Sequence, residues 1–320
     1  MQTRFYVVGS YMNANFMQLT RLPIEGESLQ AHGVWQEHGG KGLNLGVGLH
    51  RLGVPVKMLL GVGNDDAGKA AHDLIKHEGM DTTAVMHLGA HSGYGVGFVG
   101  AQGENFLAAF QGANALVNAR HVQQHFADMT ASDWVCAQFE APEEVILAAF
   151  ELARSIHVRT YLNPSPWRMP SREMLALTDV LVVNETEAAL MFAIPTAAKW
   201  DAHTWQQQLP GMVQQLALTC ELILVTLGVE GAVAYTNKGE THFQPAWPIV
   251  QLDATGAGDA FGCGLLWGWS QQLPLDQTLS FGNACGALVA GAQGVLAALP
   301  DIARVENFCA ANNVNKNPVS

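Results

Sequence analysis

Apolar runs of strand length alternate along this chain with longer segments of helical period. Val54 to Val62 precedes Ala67 to Glu78, Trp134 to Ala137 precedes Glu143 to Arg154, and Val180 to Val183 precedes Glu185 to Phe192. Short continuous apolar runs suit strands buried on both faces, and a helix after each strand returns the chain to a parallel neighbour. The pattern predicts an α/β fold with a mainly parallel central sheet flanked by helices. After Lys41, Leu45, Leu49 and Leu52 recur at i, i+4 and i+7, and Gly53 with Pro55 ends the run, so a helix is expected directly after a Gly-rich loop. Two stretches depart from this rhythm. Asn13 to His38 is rich in Pro, Glu and Gly, and Tyr94 to Phe110 reads as a hairpin around Gln102-Gly103. Together they predict a small β-sheet lid from segments 11–38 and 94–112. No linker separates two full domains, so 1–312 is expected to be one domain and the polar stretch 313–320 a disordered tail.

Composition narrows the partners. The chain has 320 residues, 49% of them hydrophobic, enough for a sizeable core, and a net charge of −12. That charge disfavours nucleic acid and anionic membranes as partners, so any bound anion must be held by local donors. Cys136, Cys220, Cys263, Cys285 and Cys309 are far apart and form no C-x-x-C pair, which reads as free thiols in a reducing compartment without structural zinc. No basic region precedes a long apolar stretch, and no segment approaches ~18 uninterrupted apolar residues, so a cytoplasmic location is expected.

The most informative string is Asp253-Ala-Thr-Gly-Ala-Gly-Asp259, between the apolar run Trp247 to Leu252 and the helix-like run Ala260 to Trp269. Two readings are open. One is a Gly-rich turn with an acidic helix start. The other is an anion site, where the amides of Gly256, Ala257 and Gly258 at a helix N-terminus meet a phosphate or oxyanion and Asp259 accepts a proton from a substrate hydroxyl. Gly39-Gly-Lys-Gly-Leu-Asn44 is either a flexible turn or a loop that approaches a ligand through its backbone, with Lys41 and Asn44 as added donors. It is not a Walker A loop, because Gly42 follows the lysine and Trp35 stands at its first position. Asn184-Glu-Thr-Glu187 has the form of a capping box, and its oxygens at a strand's C-terminal end also suit Mg²⁺ held partly through water. Neither Gly61-Val-Gly-Asn-Asp65 nor Gly256-Ala-Gly-Asp-Ala-Phe261 has dinucleotide spacing, which disfavours a nicotinamide enzyme. His121 and His125 lack a third ligand and read as a solvated helix face.

Taken together, these strings resemble the ribokinase family, the PfkB-type carbohydrate kinases. In order they are Val8-Gly-Ser10, Pro23-Ile-Glu-Gly-Glu27, Gly39-Gly-Lys-Gly-Leu-Asn44, Gly63-Asn-Asp65, Gly103-Glu-Asn105, Asn163-Pro-Ser-Pro166, Asn184-Glu-Thr-Glu187, Thr226-Leu-Gly228 and Asp253 to Asp259. The resemblance implies ATP-dependent phosphorylation of a hydroxyl, expected to be a primary CH₂OH of a small sugar. It casts Asp259 as the base, Gly256, Ala257 and Gly258 as the anion hole, and Glu187 with Asn184 as the Mg²⁺ and phosphate site. Thr226, Gly228, Gly231, Gly258 and Asn283 match the nucleotide pocket, while Gly40, Lys41, Asn44 and Glu140 match the sugar site. Asp253 and the loop near Gly294 match a monovalent-cation (K⁺) site, although Val295-Leu-Ala-Ala replaces a more polar run there. Where the family places a sugar-binding Asp the gapless register puts Ala14, leaving Asn13 and Asn15 as the candidate substitutes. The alternatives are a nucleoside kinase of the same fold and a non-catalytic sugar-binding protein. A homodimer is expected, because a β lid leaves an open sheet face.

Overall fold

The computed structural model describes residues 2–101, 105–195 and 198–314. Strands in chain order are β1 (Phe5–Val8), β2 (Met12–Gln18), β3 (Gly33–Gly39), β4 (Val56–Val62), β5 (Val85–His87), β6 (Gly93–Val99), β7 (Asn105–Phe110), β8 (Trp134–Gln138), β9 (Arg159–Asn163), β10 (Val180–Asn184), β11 (Leu222–Thr226), β12 (Gly231–Thr236) and β13 (Thr241–Pro245). Nine of them form one sheet in the order β13-β12-β11-β10-β9-β8-β1-β4-β5. All pairs from β11 to β5 are parallel, while β11–β12 and β12–β13 are antiparallel.

The continuous apolar runs arise because both faces of this sheet are buried. Phe5 and Val7 of β1 pack into one core with Met58, Leu60, Cys136 and Leu224. Tyr6 and Val8, pointing the other way, pack into a second core with Leu59, Val135, Leu181 and Ile223. Each fully buried Val or Leu contributes roughly 1.5–3 kcal/mol, so a polar residue in these runs would be costly. The anticipated helices occur at Lys41–Arg51, Asp66–His77, Glu143–Ser155 and Glu185–Met191. The run Trp247 to Leu252 joins no strand, and Val250 and Leu252 stay exposed.

The two irregular stretches make a separate four-stranded sheet, ordered β3-β2-β6-β7. Its middle pair, β2 and β6, is parallel, while β2–β3 and β6–β7 are antiparallel. The turn expected at Gln102-Gly103 and the tail segment 315–320 lie outside the described residues. The last helix runs from Ile302 to Val314, past residue 312.

Candidate active site

Parallel α/β sheets bind ligands at the carboxyl ends of their strands, where loops lead into helix N-termini. Here two helix N-termini meet, one entered from the lid strand β3 and the other from the loop after β13. The helix Ala257–Ser270 starts at Gly256, whose φ of 76° lies in the left-handed region. A Cβ on Gly256 would come within 2.2 Å of Val295 Cγ1, so glycine is required on both counts. The helix Lys41–Arg51 starts at Gly40, with φ 104°, where a Cβ would lie 2.6 Å from the Ser10 carbonyl oxygen.

Asp259 occupies the first turn of the later helix and is 7% exposed. Asn44 Nδ2 donates to its Oδ2 at 2.8 Å, and Lys41 Nζ stands 3.5 Å from its Oδ1. The Asp259 charge, with help from Glu140 and Glu187 and against burial, raises the Lys41 pKa, so the ammonium stays charged at neutral pH. Asn44 Oδ1 is buried with no hydrogen-bond partner. A buried acceptor left open beside a carboxylate costs about 1–3 kcal/mol until something donates to it. A polyol hydroxyl fits that need.

Glu140 closes the other side. Its Oε2 accepts from the Lys41 backbone N–H at 2.7 Å and from Ser10 Oγ at 2.5 Å. The carboxylate thus caps the helix that Gly40 leaves without a side-chain cap. Ser10 was not among the sequence candidates as a partner for Glu140; 130 residues separate the two, and only the adjacency of β1 and β8 brings them together.

The amides at the Gly256 turn need one correction. The Ala257 N–H donates to the Ala254 carbonyl at 3.2 Å, so it closes the turn and is not an open donor. The first intrahelical bond is Ala260 N–H to Gly256 O, which leaves the Gly256, Gly258 and Asp259 amides without a backbone acceptor. A Cβ on Gly258 would meet nothing within 4 Å, so the space in front of these amides is open. It continues into a cleft lined by Thr226, Gly228, Gly231, Ala257, Gly258 and Asn283, with a cavity of about 260 Å³. The Asn283 amide is already engaged, with Nδ2 donating to the Gln244 and Pro245 carbonyls at 3.0 Å, so this residue shapes the wall.

Asn184 lies opposite Thr226 in the β10–β11 ladder, beside the cleft mouth. It forms the expected capping box: Glu187 N–H donates to Asn184 Oδ1 at 2.8 Å, and Asn184 N–H to Glu187 Oε2 at 2.9 Å. Asp253 Oδ1 accepts from the Thr255 N–H at 2.9 Å and supports the turn that leads to Gly256.

The lid candidates divide by face. Asn13 and Asn15 share one face of β2, where Gln36 Nε2 donates to Asn13 Oδ1 and Asn15 Nδ2 bonds the Asn13 carbonyl at 3.2 Å. Ala14 points to the other face with its cross-strand partner Glu37. Glu37 reaches the loop behind the anion site, with Oε2 accepting from Val295 N–H at 3.4 Å. The face of Ala14 and Glu37 thus meets the Val295 loop, and the two asparagines lie on the opposite face.

A family model for pfkB family carbohydrate kinases matches residues 2–302. The chain belongs to this family. Among pfkB relatives, ribokinase from Haemophilus influenzae is 28% identical over 302 residues, covering 94% of this chain and 96% of the relative. Deoxyribokinase from Salmonella typhi is 29% identical over 260 residues, covering 80% of this chain and 83% of its own. A structure of Arabidopsis thaliana ribokinase complexed with ribose and ATP superposes with a TM-score of 0.86 at 23% identity, covering 96% of this chain and 99% of the other. The pfkB fold thus accounts for the large parallel sheet and the small separate one. His121 and His125 take no part in the site: His121 accepts the Asn118 N–H within a capping box and His125 pairs with Asp128.

Proposed function

We propose that this chain transfers the γ-phosphoryl group of ATP to a primary hydroxyl of a small neutral sugar. The observation that carries the reading is the placement of Asp259. Its buried carboxylate sits one residue after Gly258, whose open amide faces the nucleotide cleft, and it touches Asn44, whose Oδ1 awaits a donor. In this reading the sugar hydroxyl lies between Asp259 and the γ-phosphorus. Its proton passes to Asp259, its oxygen forms the new P–O bond, and the bond to the β–γ bridging oxygen breaks as ADP leaves. Phosphoryl transfer needs positioning and charge stabilisation more than covalent help. The amides of Gly256, Gly258 and Asp259 would take the charge on the transferring oxygens, and Lys41 and Asn44 would hold the sugar against Asp259. Thr226, Gly228 and Gly231 would border the nucleotide.

Among the described residues no group of three or more His, Cys, Asp or Glu side chains forms a metal cage. That donor set fits Mg²⁺ carried by nucleotide phosphates and water, with Glu187 acting through a water; the ion would neutralise phosphate charge. A monovalent cation at Asp253 would share that carboxylate with the turn: its Oδ1 accepts the Thr255 N–H and the Ala290 carbonyl accepts the Leu252 and Asp253 N–H groups, while each oxygen keeps room for a second partner.

The test is ADP release coupled to a visible readout, run with pentoses, hexoses and nucleosides. Release stimulated by at least one free sugar is the expected result. Stimulation by nucleosides alone would replace the sugar with a nucleoside, and silence across all of them would leave a binding protein.

The lid's outer face suits a second copy of this chain. Val34 (75% exposed), Phe106 (62%) and Phe110 (59%) lie on the face shared with Asn13, together with Tyr94 and Met17. Apolar side chains clustered on an open sheet call for cover. Size-exclusion chromatography with light scattering is expected to give twice the 34.3 kDa chain mass. Phe106→Asp is expected to shift it to a single copy, and a monomeric parent protein would remove the proposal.

A further inference from the structure

Across the inner face of the lid, one row runs Glu37, Ala14, Gly95, Ala109 through the paired strands. Three of its members are small, and the fourth carries the only polar side chain in the row. A Cβ added at Gly95 would meet only Ala14, at 3.7 Å or beyond, so the space in front of the row is open. On one side stands an aromatic wall: Trp35 stacks on Phe16 with centroids 5.1 Å apart and planes 15° apart. Glu37 is held but not saturated. Trp35 Nε1 donates to its Oε1 at 3.1 Å and the Val295 N–H to its Oε2 at 3.4 Å, while each carboxylate oxygen can accept twice. Val295 in turn packs where a Cβ of Gly256 would lie, so Glu37 is tied to the loop directly behind the anion site.

Resting on the sugar-kinase reading above, we propose that Glu37 determines substrate choice by accepting hydroxyl hydrogen bonds from the sugar. The carboxylate missing at Ala14 is supplied from its cross-strand partner, one strand spacing away on the same face. That displacement moves the acceptor toward β3 and toward the Val295 loop, so the hydroxyls it selects differ in position from those a carboxylate at residue 14 would meet. A carboxylate accepts and never donates while ionised, so it favours neutral polyols and repels sugars that already carry a phosphate or carboxylate near the lid. Trp35 fixes the rotamer of Glu37 and offers a ring face to the sugar's C–H side.

The experiment compares the parent protein with Glu37→Gln, Glu37→Ala and the double variant Ala14→Asp/Glu37→Ala across free pentoses and hexoses and their phosphates. Two quantities are read: steady-state kcat and KM, and the sugar-induced rise in melting temperature without nucleotide. Glu37→Gln is expected to raise KM for the preferred sugar roughly ten- to a hundredfold, the loss of a charge-assisted hydrogen bond, with kcat and the KM for ATP little changed. The melting shift given by the same sugar should shrink in parallel, and the double variant should rank the sugars in a different order. Unchanged sugar KM and melting shift in Glu37→Gln would overturn the proposal. So would a fall in kcat for every sugar at constant KM, which would assign Glu37 to holding the Val295 loop. If sugars stabilise the parent protein through Glu37 but release no ADP, Glu37 stands and the phosphoryl-transfer reading falls. If no sugar stabilises or reacts, both fall.

Discussion

Asp259→Asn is expected to lower kcat by about a hundred- to ten-thousandfold, the usual worth of a positioned general base. The substitution keeps the shape of the side chain and removes its basicity. Asn44 Nδ2 can still donate to the new amide oxygen where it now meets Oδ2 at 2.8 Å, so the packing between the two helices should persist. What changes is the side toward Lys41, whose ammonium would lose the carboxylate 3.5 Å away. Lys41 keeps 26% of its side chain exposed and still has the charges of Glu140 and Glu187, so water and those carboxylates limit the stability cost of losing a part-buried partner. The measurement is single-turnover phosphoryl transfer alongside nucleotide binding and thermal melting. Loss of turnover with ATP affinity and melting retained supports the proton-accepting role. Undiminished turnover would remove Asp259 from it.

The second large effect is expected at Gly258. Gly258→Ala should lower kcat by about a hundredfold, comparable to removing one oxyanion donor, while melting stays level or rises slightly. The two halves of that result have different origins. A Cβ at this position meets nothing within 4 Å of the chain, and the backbone is not in the left-handed region, so alanine is accommodated and reduces chain entropy in the unfolded state. Cα–Cβ bonds on a helix tilt toward its N-terminus, however, and here that direction is the space in front of the open amides. The methyl group would occupy the place of a phosphoryl oxygen. Gly256→Ala makes the contrast, since its Cβ would strike Val295 and its φ of 76° is strained for alanine, so that variant should lose stability as well. A Gly258→Ala protein with full activity would mean that the phosphoryl group does not pass these amides.

The parallel sheet was legible because its strands are apolar on both faces, and the sequence alternates them with helices of clear period. The lid was legible as a departure from that rhythm, but its internal order was not. The parallel pairing of β2 with β6 joins segments about 80 residues apart, and no local pattern encodes it. The partners across its strands were not legible either. Asn13 and Asn15 are the polar residues nearest the missing carboxylate in sequence, yet a strand sends neighbours to opposite faces, so they lie on one face while Ala14 shares the other with Glu37. Ala257 shows the same limit on a smaller scale: its small size suggested an open amide, and the turn geometry gave that amide to Ala254.

The sequence alone determined the chemistry available to this protein. The Asp253 to Asp259 string, the Gly40-Lys41 loop and the Asn184 capping box are each local. Glycine conformations and helix starts depend on a few adjacent residues. Tertiary structure decided which of these groups act together. Asn44 and Asp259 are separated by 215 residues and meet at 2.8 Å, and Glu37 lies 258 residues from the Val295 amide it binds. Such contacts depend on strand order and register, which are fixed when the whole core packs. The Asp259 carboxylate could thus be picked out from its own neighbourhood, but Glu37, the carboxylate proposed to face the sugar, could be found only from the strand beside it.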